Sequence, residues 1–110
     1  MRVLQSIEEL SEVWKAPVLV IFKHSTRCPV SAAAYQEVDQ FATLHPDVPV
    51  LLVKVIEQRR ASGEVERRTA VRHESPQVLL VKGGVTVWHE SHWRITADSL
   101  AGIVSSLNGG

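Results

Sequence analysis

Hydrophobic and polar positions along the chain change period repeatedly. Ile7, Leu10, Val13 and Trp14 share one stripe of a short helix over 6–14, with Ser6 as N-cap and Glu9 completing a capping box. Pro17 stops it. The run Val18-Leu19-Val20-Ile21-Phe22 is continuous and rich in β-branched residues, the pattern of a strand buried on both faces. From 29 to 45, Val30, Ala33, Ala34, Val38, Phe41 and Leu44 recur at steps of three and four, which predicts a helix ended by Pro46. A second apolar strand is expected over 48–56. The charged segment 57–74 contains Ser62 as a candidate cap for a short helix reaching Val71. Two more strands, 77–82 and 85–89, flank Gly83-Gly84, a two-residue hairpin signal. Thr96 caps a last helix bearing Leu100, Ile103, Val104 and Leu107, ahead of a Gly109-Gly110 tail.

The predicted order is αβαβαββα. Two strands joined by a helix form a right-handed parallel βαβ unit, and the closing ββα adds an antiparallel pair with a covering helix. This is the arrangement of a thioredoxin-like domain, and an α/β protein resembling that fold is expected, with a central mixed four-stranded sheet flanked by helices. One domain over 1–110 is expected, since 110 residues is the usual size of one.

Composition narrows the function classes. With 45% apolar and 22% charged residues the chain is globular, and its formal charge of +0 offers no footprint for nucleic acid or an anionic membrane. No apolar run approaches the ~18 residues that cross a bilayer, and Glu8, Glu9 and Glu12 interrupt the N-terminal stretch where a signal peptide would be apolar. A cytoplasmic protein is expected.

The chemistry gathers at one residue. Cys28 is the only cysteine, so a redox role needs a partner's sulfur. It follows the first buried strand and precedes Pro29, which suits the first position of a helix because its missing N–H has no partner there. Cys28 is thereby placed at the helix N-cap, where unpaired amides and the helix dipole favour thiolate over thiol. A lone cysteine is more often a small buried hydrophobe, but Ser25, Thr26 and Arg27 before it describe an exposed turn. Ser31 stands one turn on, where a dithiol enzyme keeps its resolving cysteine; its hydroxyl is expected to donate to the thiolate and is unable to attack a disulfide. Ser75-Pro76 opens the strand before the hairpin, as a proline does in thioredoxin-like proteins, where it is usually cis and leaves the preceding backbone free to pair with an extended substrate.

Three stretches together carry a closer likeness: Lys23-His24-Ser25-Thr26-Arg27-Cys28-Pro29-Val30-Ser31, Arg72-His73-Glu74-Ser75-Pro76-Gln77-Val78, and Trp88-His89-Glu90-Ser91-His92-Trp93. In that order they resemble the monothiol bacilliredoxin family, small thioredoxin-like proteins with a Cys-Pro-[Val/Ile]-Ser active site. Arg27 stands where that family often has a smaller polar residue. The resemblance implies thiol-disulfide exchange that removes bacillithiol from protein mixed disulfides. Cys28 is then the catalytic thiol, with Pro29, Ser31 and Thr26 supporting it and Ser75, Pro76, Lys23 and Arg27 meeting the substrate. Partners would be bacillithiolated proteins, bacillithiol as co-substrate, and a reducing thiol or reductase. No cofactor is implied, and the expected state is a monomer or weak dimer.

Other residues have plainer readings. His89 and His92, three apart on one strand, point to opposite faces and make no metal site. Trp88 and Trp93 read as core or sheet-face packing. Arg59, Arg60, Arg67, Arg68 and Arg72, interspersed with Glu57, Glu64, Glu66 and Glu74, read as a solvated helix face, with one or two available to a carboxylate of an anionic thiol. Two alternatives to exchange are a monothiol-glutaredoxin-like carrier of an iron–sulfur cluster and a non-catalytic stress-response interaction domain.

Overall fold

The computed structural model describes residues 1–109, with side chains through Leu107. In chain order the elements are β1 (Arg2–Val3), α1 (Glu9–Val13), β2 (Val18–His24), α2 (Pro29–Leu44), β3 (Val50–Lys54), α3 (Arg59–Thr69), β4 (Gln77–Lys82), β5 (Val85–Ser91), a 3-10 turn (His92–Arg94) and α4 (Ala97–Gly109). Gly109 thus ends α4, and Gly110 of the expected tail lies outside the described residues. The sheet runs β1-β3-β2-β4-β5. β2 pairs in parallel with β3, from Val20↔Val50 to His24↔Lys54, and antiparallel with β4, from Val18↔Lys82 to Lys23↔Gln77.

A central strand with partners on both edges buries both of its faces, which is why its sequence is a continuous apolar run. Alternation sends Val20 and Phe22 to one side and Leu19 and Ile21 to the other. On the first side they pack with Val38 and Phe41 of α2 and Leu100 and Val104 of α4; on the second, with Leu10 of α1 and Ala61 and Val65 of α3. Each large apolar side chain so buried contributes about 1.5–3 kcal/mol. The two cores hold α2 and α3 on opposite faces, and the loops leaving β2 and β3 therefore emerge at one end of the sheet.

The local signals act largely as the sequence predicts. Thr96 Oγ1 accepts the Ser99 N–H at 3.1 Å, capping α4, while Glu37 of α2 accepts the Ala97 N–H at 2.9 Å and ties the two helices together. Gly83 and Gly84 have φ of +58° and +83°, so the hairpin uses the left-handed region that glycine enters without steric cost. Glu9 accepts the Ser6 N–H at 3.2 Å, but Ser6 is not the cap expected of it: α1 starts only at Glu9, with Glu8 at the N-cap and no side-chain cap bond.

Four other expectations change. The sheet has five strands, because Arg2–Val3 adds a short edge strand beside Leu51 and Leu52, too brief to leave a periodic signal. α3 begins at Arg59, so Ser62 lies inside it, buried, with its N–H bonded to Gln58 O at 2.9 Å. His92 is off the strand: β5 ends at Ser91, and His92 takes φ +56° to start the 3-10 turn. Trp93 is 71% exposed, whereas Trp88 does pack against the core.

Leu100 is fully buried where α4 meets the sheet and Val85 is exposed on the edge strand β5. Leu100→Ala is expected to cost about 2–5 kcal/mol, read as a lower urea midpoint with unchanged slope. Val85→Ala should leave that midpoint within about 0.5 kcal/mol of the parent.

Candidate active site

The site is built where β2 hands over to α2. His24 ends the strand, Ser25–Arg27 turn outward, and Cys28 occupies the N-cap of α2 with extended dihedrals of −113° and 123°. Pro29 is the first helical residue, and the Cys28 carbonyl accepts the Ala32 N–H at 3.0 Å. The amides of Val30 and Ser31 precede that first intrahelical bond and have no acceptor within the helix. Cys28 is a free thiol, half-buried, and Thr26 and Arg27 beside it are exposed. Arg27 makes no hydrogen bond among the described residues, so its guanidinium faces solvent.

Ser31 is placed differently from the expectation. Fully buried, its Oγ accepts the Ser25 N–H at 2.9 Å and lies 2.9 Å from His24 Nδ1. The hydroxyl is therefore not directed to the Cys28 sulfur: it locks the outgoing turn to the start of α2. Burial holds His24 below the usual histidine range, offset in part by the Ser31 backbone, and the neutral ring so favoured is able to take the Ser31 hydroxyl hydrogen at Nδ1. His24 also packs near Phe22 and Tyr35, with centroids 5.3 and 5.2 Å away. The sequence reading missed this residue, although the alternation Val20, Phe22, His24 aims it at the face beneath α2.

Lys23 is the second correction. Expected to meet substrate, it is fully buried, because the odd-numbered positions of β2 face α3 and both neighbouring strands cover it through Val53 and Gln77. Its Nζ donates to His73 Nδ1 at 3.0 Å. His73 is set by its own N–H on Glu66 Oε2 at 2.7 Å, with Ser62 Oγ 3.4 Å from Nδ1. Burial lowers Lys23 to about 8, against a smaller opposing pull from Glu66, and burial together with the Lys23 charge lowers His73. No local pattern predicts a pair 50 residues apart.

Ser75-Pro76 is cis and sits immediately before β4, whose first residue Gln77 pairs with Lys23. The segment therefore flanks the end of β2 from which the Cys28 turn departs. The Pro76 carbonyl accepts the His92 N–H at 3.0 Å, whereas Ser75 has no backbone hydrogen bond among the described residues. Arg67 and Arg68 share Glu64 on the exposed face of α3, as read from the sequence. No group of three or more potential metal ligands occurs among the described residues, and no helix is long and apolar enough to cross a membrane.

A single thiol at a helix N-cap, beside a cis-proline segment on a β-α-β frame, defines a thioredoxin-fold thiol oxidoreductase. A family model for monothiol bacilliredoxin BrxC matches residues 2–100, and the chain belongs to that family. A solved candidate oxidoreductase with a thioredoxin fold is 32% identical, covering 92% of this chain and 90% of its own at a TM-score of 0.85. The Fasciola hepatica thioredoxin (19% identical, TM-score 0.76, covering 96% of this chain and 98% of its own) shares the fold. So does that of Trypanosoma brucei brucei (11%, TM-score 0.82, covering 98% and 90%).

Two consequences are measurable. Ser31→Ala leaves the half-buried Ser25 N–H and His24 without their partner, and should cost about 1–3 kcal/mol in a urea titration, whereas an unchanged midpoint would mean the hydroxyl does not hold the turn. Lys23 has released its proton in the folded chain above about 8 but keeps it to 10.5 when unfolded. Stability should therefore rise with pH through that window, the burial penalty being fully present below it. Lys23→Met is expected to flatten the rise, seen as a shrinking difference between variant and parent midpoints from pH 7.5 to 10.5.

Proposed function

We propose that the protein removes bacillithiol from cytoplasmic protein mixed disulfides by a one-cysteine route. The observation that supports this reading most directly is the pairing of an N-cap thiol with a serine one turn on, whose hydroxyl is already committed to Ser25 and His24. Cys28 as thiolate attacks the bacillithiol sulfur of the mixed disulfide. The old S–S bond breaks, the substrate protein leaves as a thiolate that takes a proton from water, and Cys28 keeps the bacillithiol in a new disulfide. Nothing in the chain is able to attack that bond, since Cys28 is the only cysteine. A second bacillithiol, as thiolate, then attacks it and leaves as bacillithiol disulfide, returning Cys28 for the next cycle, while an external reductase restores the small thiol. Ser75, with its backbone groups uncommitted, supplies the edge along which an extended substrate pairs.

Incubated with bacillithiol disulfide, the reduced protein should gain the mass of one bacillithiol less its hydrogen and that of the thiol. It should then release free thiol from a bacillithiolated test protein repeatedly when bacillithiol is supplied. Cys28→Ser should do neither. An adduct without turnover would leave a merely protected thiol, and no adduct at all would remove bacillithiol from the reading.

A further inference from the structure

A cleft of about 690 Å³ opens beside the cis-proline segment, between the chain leaving α3 and the far end of β5. Its volume suits a small molecule. Arg72 and Arg94 line it, both exposed and neither in an ion pair among the described residues. Two acids share its wall, each with a local hydrogen-bond partner: Glu74 lies 2.7 Å from His92 Nε2, and Glu90 accepts the Ser91 N–H at 3.1 Å. Gln77 lies in the same wall at 1% exposure. Its Nε2 donates to the Arg72 carbonyl at 3.0 Å, but its Oε1 is buried with no partner among the described residues. A buried acceptor without a partner is destabilising, so this oxygen calls for a donor that the described residues do not supply.

The cleft is joined to the thiol end of the fold. Gln77 pairs with Lys23 at the end of β2 and follows Ser75-Pro76 directly. His92 and Trp93 line both this cleft and a smaller one against Ala33 and Ala34 of α2, the helix that Cys28 caps. Trp93, 71% exposed, presents a flat apolar face between them.

We propose that this cleft binds the non-sulfur part of the small thiol: carboxylates on Arg72 and Arg94, a hydroxyl or ammonium group donating to Gln77 Oε1, and a sugar ring against Trp93. Bacillithiol, a cysteinyl amino sugar joined to malate, has all three kinds of group, so the inference rests on the function proposed above and names the residues that select its co-substrate. Two cations without partners and a bare acceptor match a ligand rich in carboxylate and donors better than the neutral backbone of an extended target peptide.

The experiment compares rates of adduct formation at Cys28 with bacillithiol disulfide and with hydroxyethyl disulfide, which lacks carboxylates and a sugar, in the full chain. The parent should prefer the former, and the preference should weaken with salt. In Arg72→Ala/Arg94→Ala the rate toward bacillithiol disulfide should fall about tenfold or more, equivalent to ~1.4 kcal/mol, with the rate toward hydroxyethyl disulfide nearly unchanged. Gln77→Leu should show the same selective loss. A parent without preference would overturn the bacillithiol reading itself. A preference that survives in all the variants would overturn the cleft alone, as would a loss seen only with bacillithiolated protein, which would give the cleft to the target chain. Equal loss toward both disulfides would reduce these residues to a structural role.

Discussion

The thiol end of the molecule depends on β2 being paired along both edges. Hydrogen bonds to β3 and β4 fix the pleat through its last residues, so that Lys23 and His24 are turned to opposite faces with no freedom to exchange. Each then meets a partner that its face alone can offer. His24 finds Ser31 under α2, and Lys23 finds His73 beside α3. The turn bearing Cys28 starts one residue later, and its direction is inherited from this arrangement. A one-residue slip of β2 would send the lysine under α2 and the histidine under α3, breaking both contacts together.

Ser31 gives the single-thiol chemistry a structural reason. In a dithiol enzyme the residue at this position must be free to attack the disulfide formed by its neighbour. Here the side chain is buried and bonded on two sides, to the Ser25 amide and to His24. The position has been used to hold the turn, and holding it this way excludes a second nucleophile. Loss of an internal resolving step and rigidity of the active-site loop are thus one feature.

How much of this was legible follows from where each signal resides. The β2 run, the three- and four-residue steps of α2, the Thr96 cap and the glycine hairpin are local, and each acts over a few residues whatever the rest of the fold does. Cys28 at the N-cap was legible for the same reason, since Pro29 marks the first helical turn. Lys23 was not, because lysine is almost never fully buried without a partner, and its partner lies 50 residues away. The exposure of Trp93 was hidden by the positive φ of His92, which ends β5 early and swings the indole outward. β1 was hidden by its length alone. The misses share one cause: they are settled by contacts between segments that the linear pattern treats as separate.

Exchange at a single sulfur has little chemical selectivity of its own, since any accessible disulfide sulfur is an equivalent target for a thiolate. Discrimination has to come from groups that hold the rest of the molecule, and those groups must lie where they do not block the sulfur. The fold keeps the sulfur and the neighbouring cleft on separate segments at the end of the sheet. The β2–α2 turn presents Cys28, while the segment from Arg72 to Gln77 and the turn after β5 shape the cleft, with the Pro76 carbonyl bonded to the His92 amide joining those two parts. Because the thiol sits on the β2–α2 turn and the cleft is lined by the segment before β4 and the end and turn of β5, the residues in the cleft can vary without moving the sulfur. Reactivity of the cysteine and the lining of the cleft are in this way separable features of one scaffold.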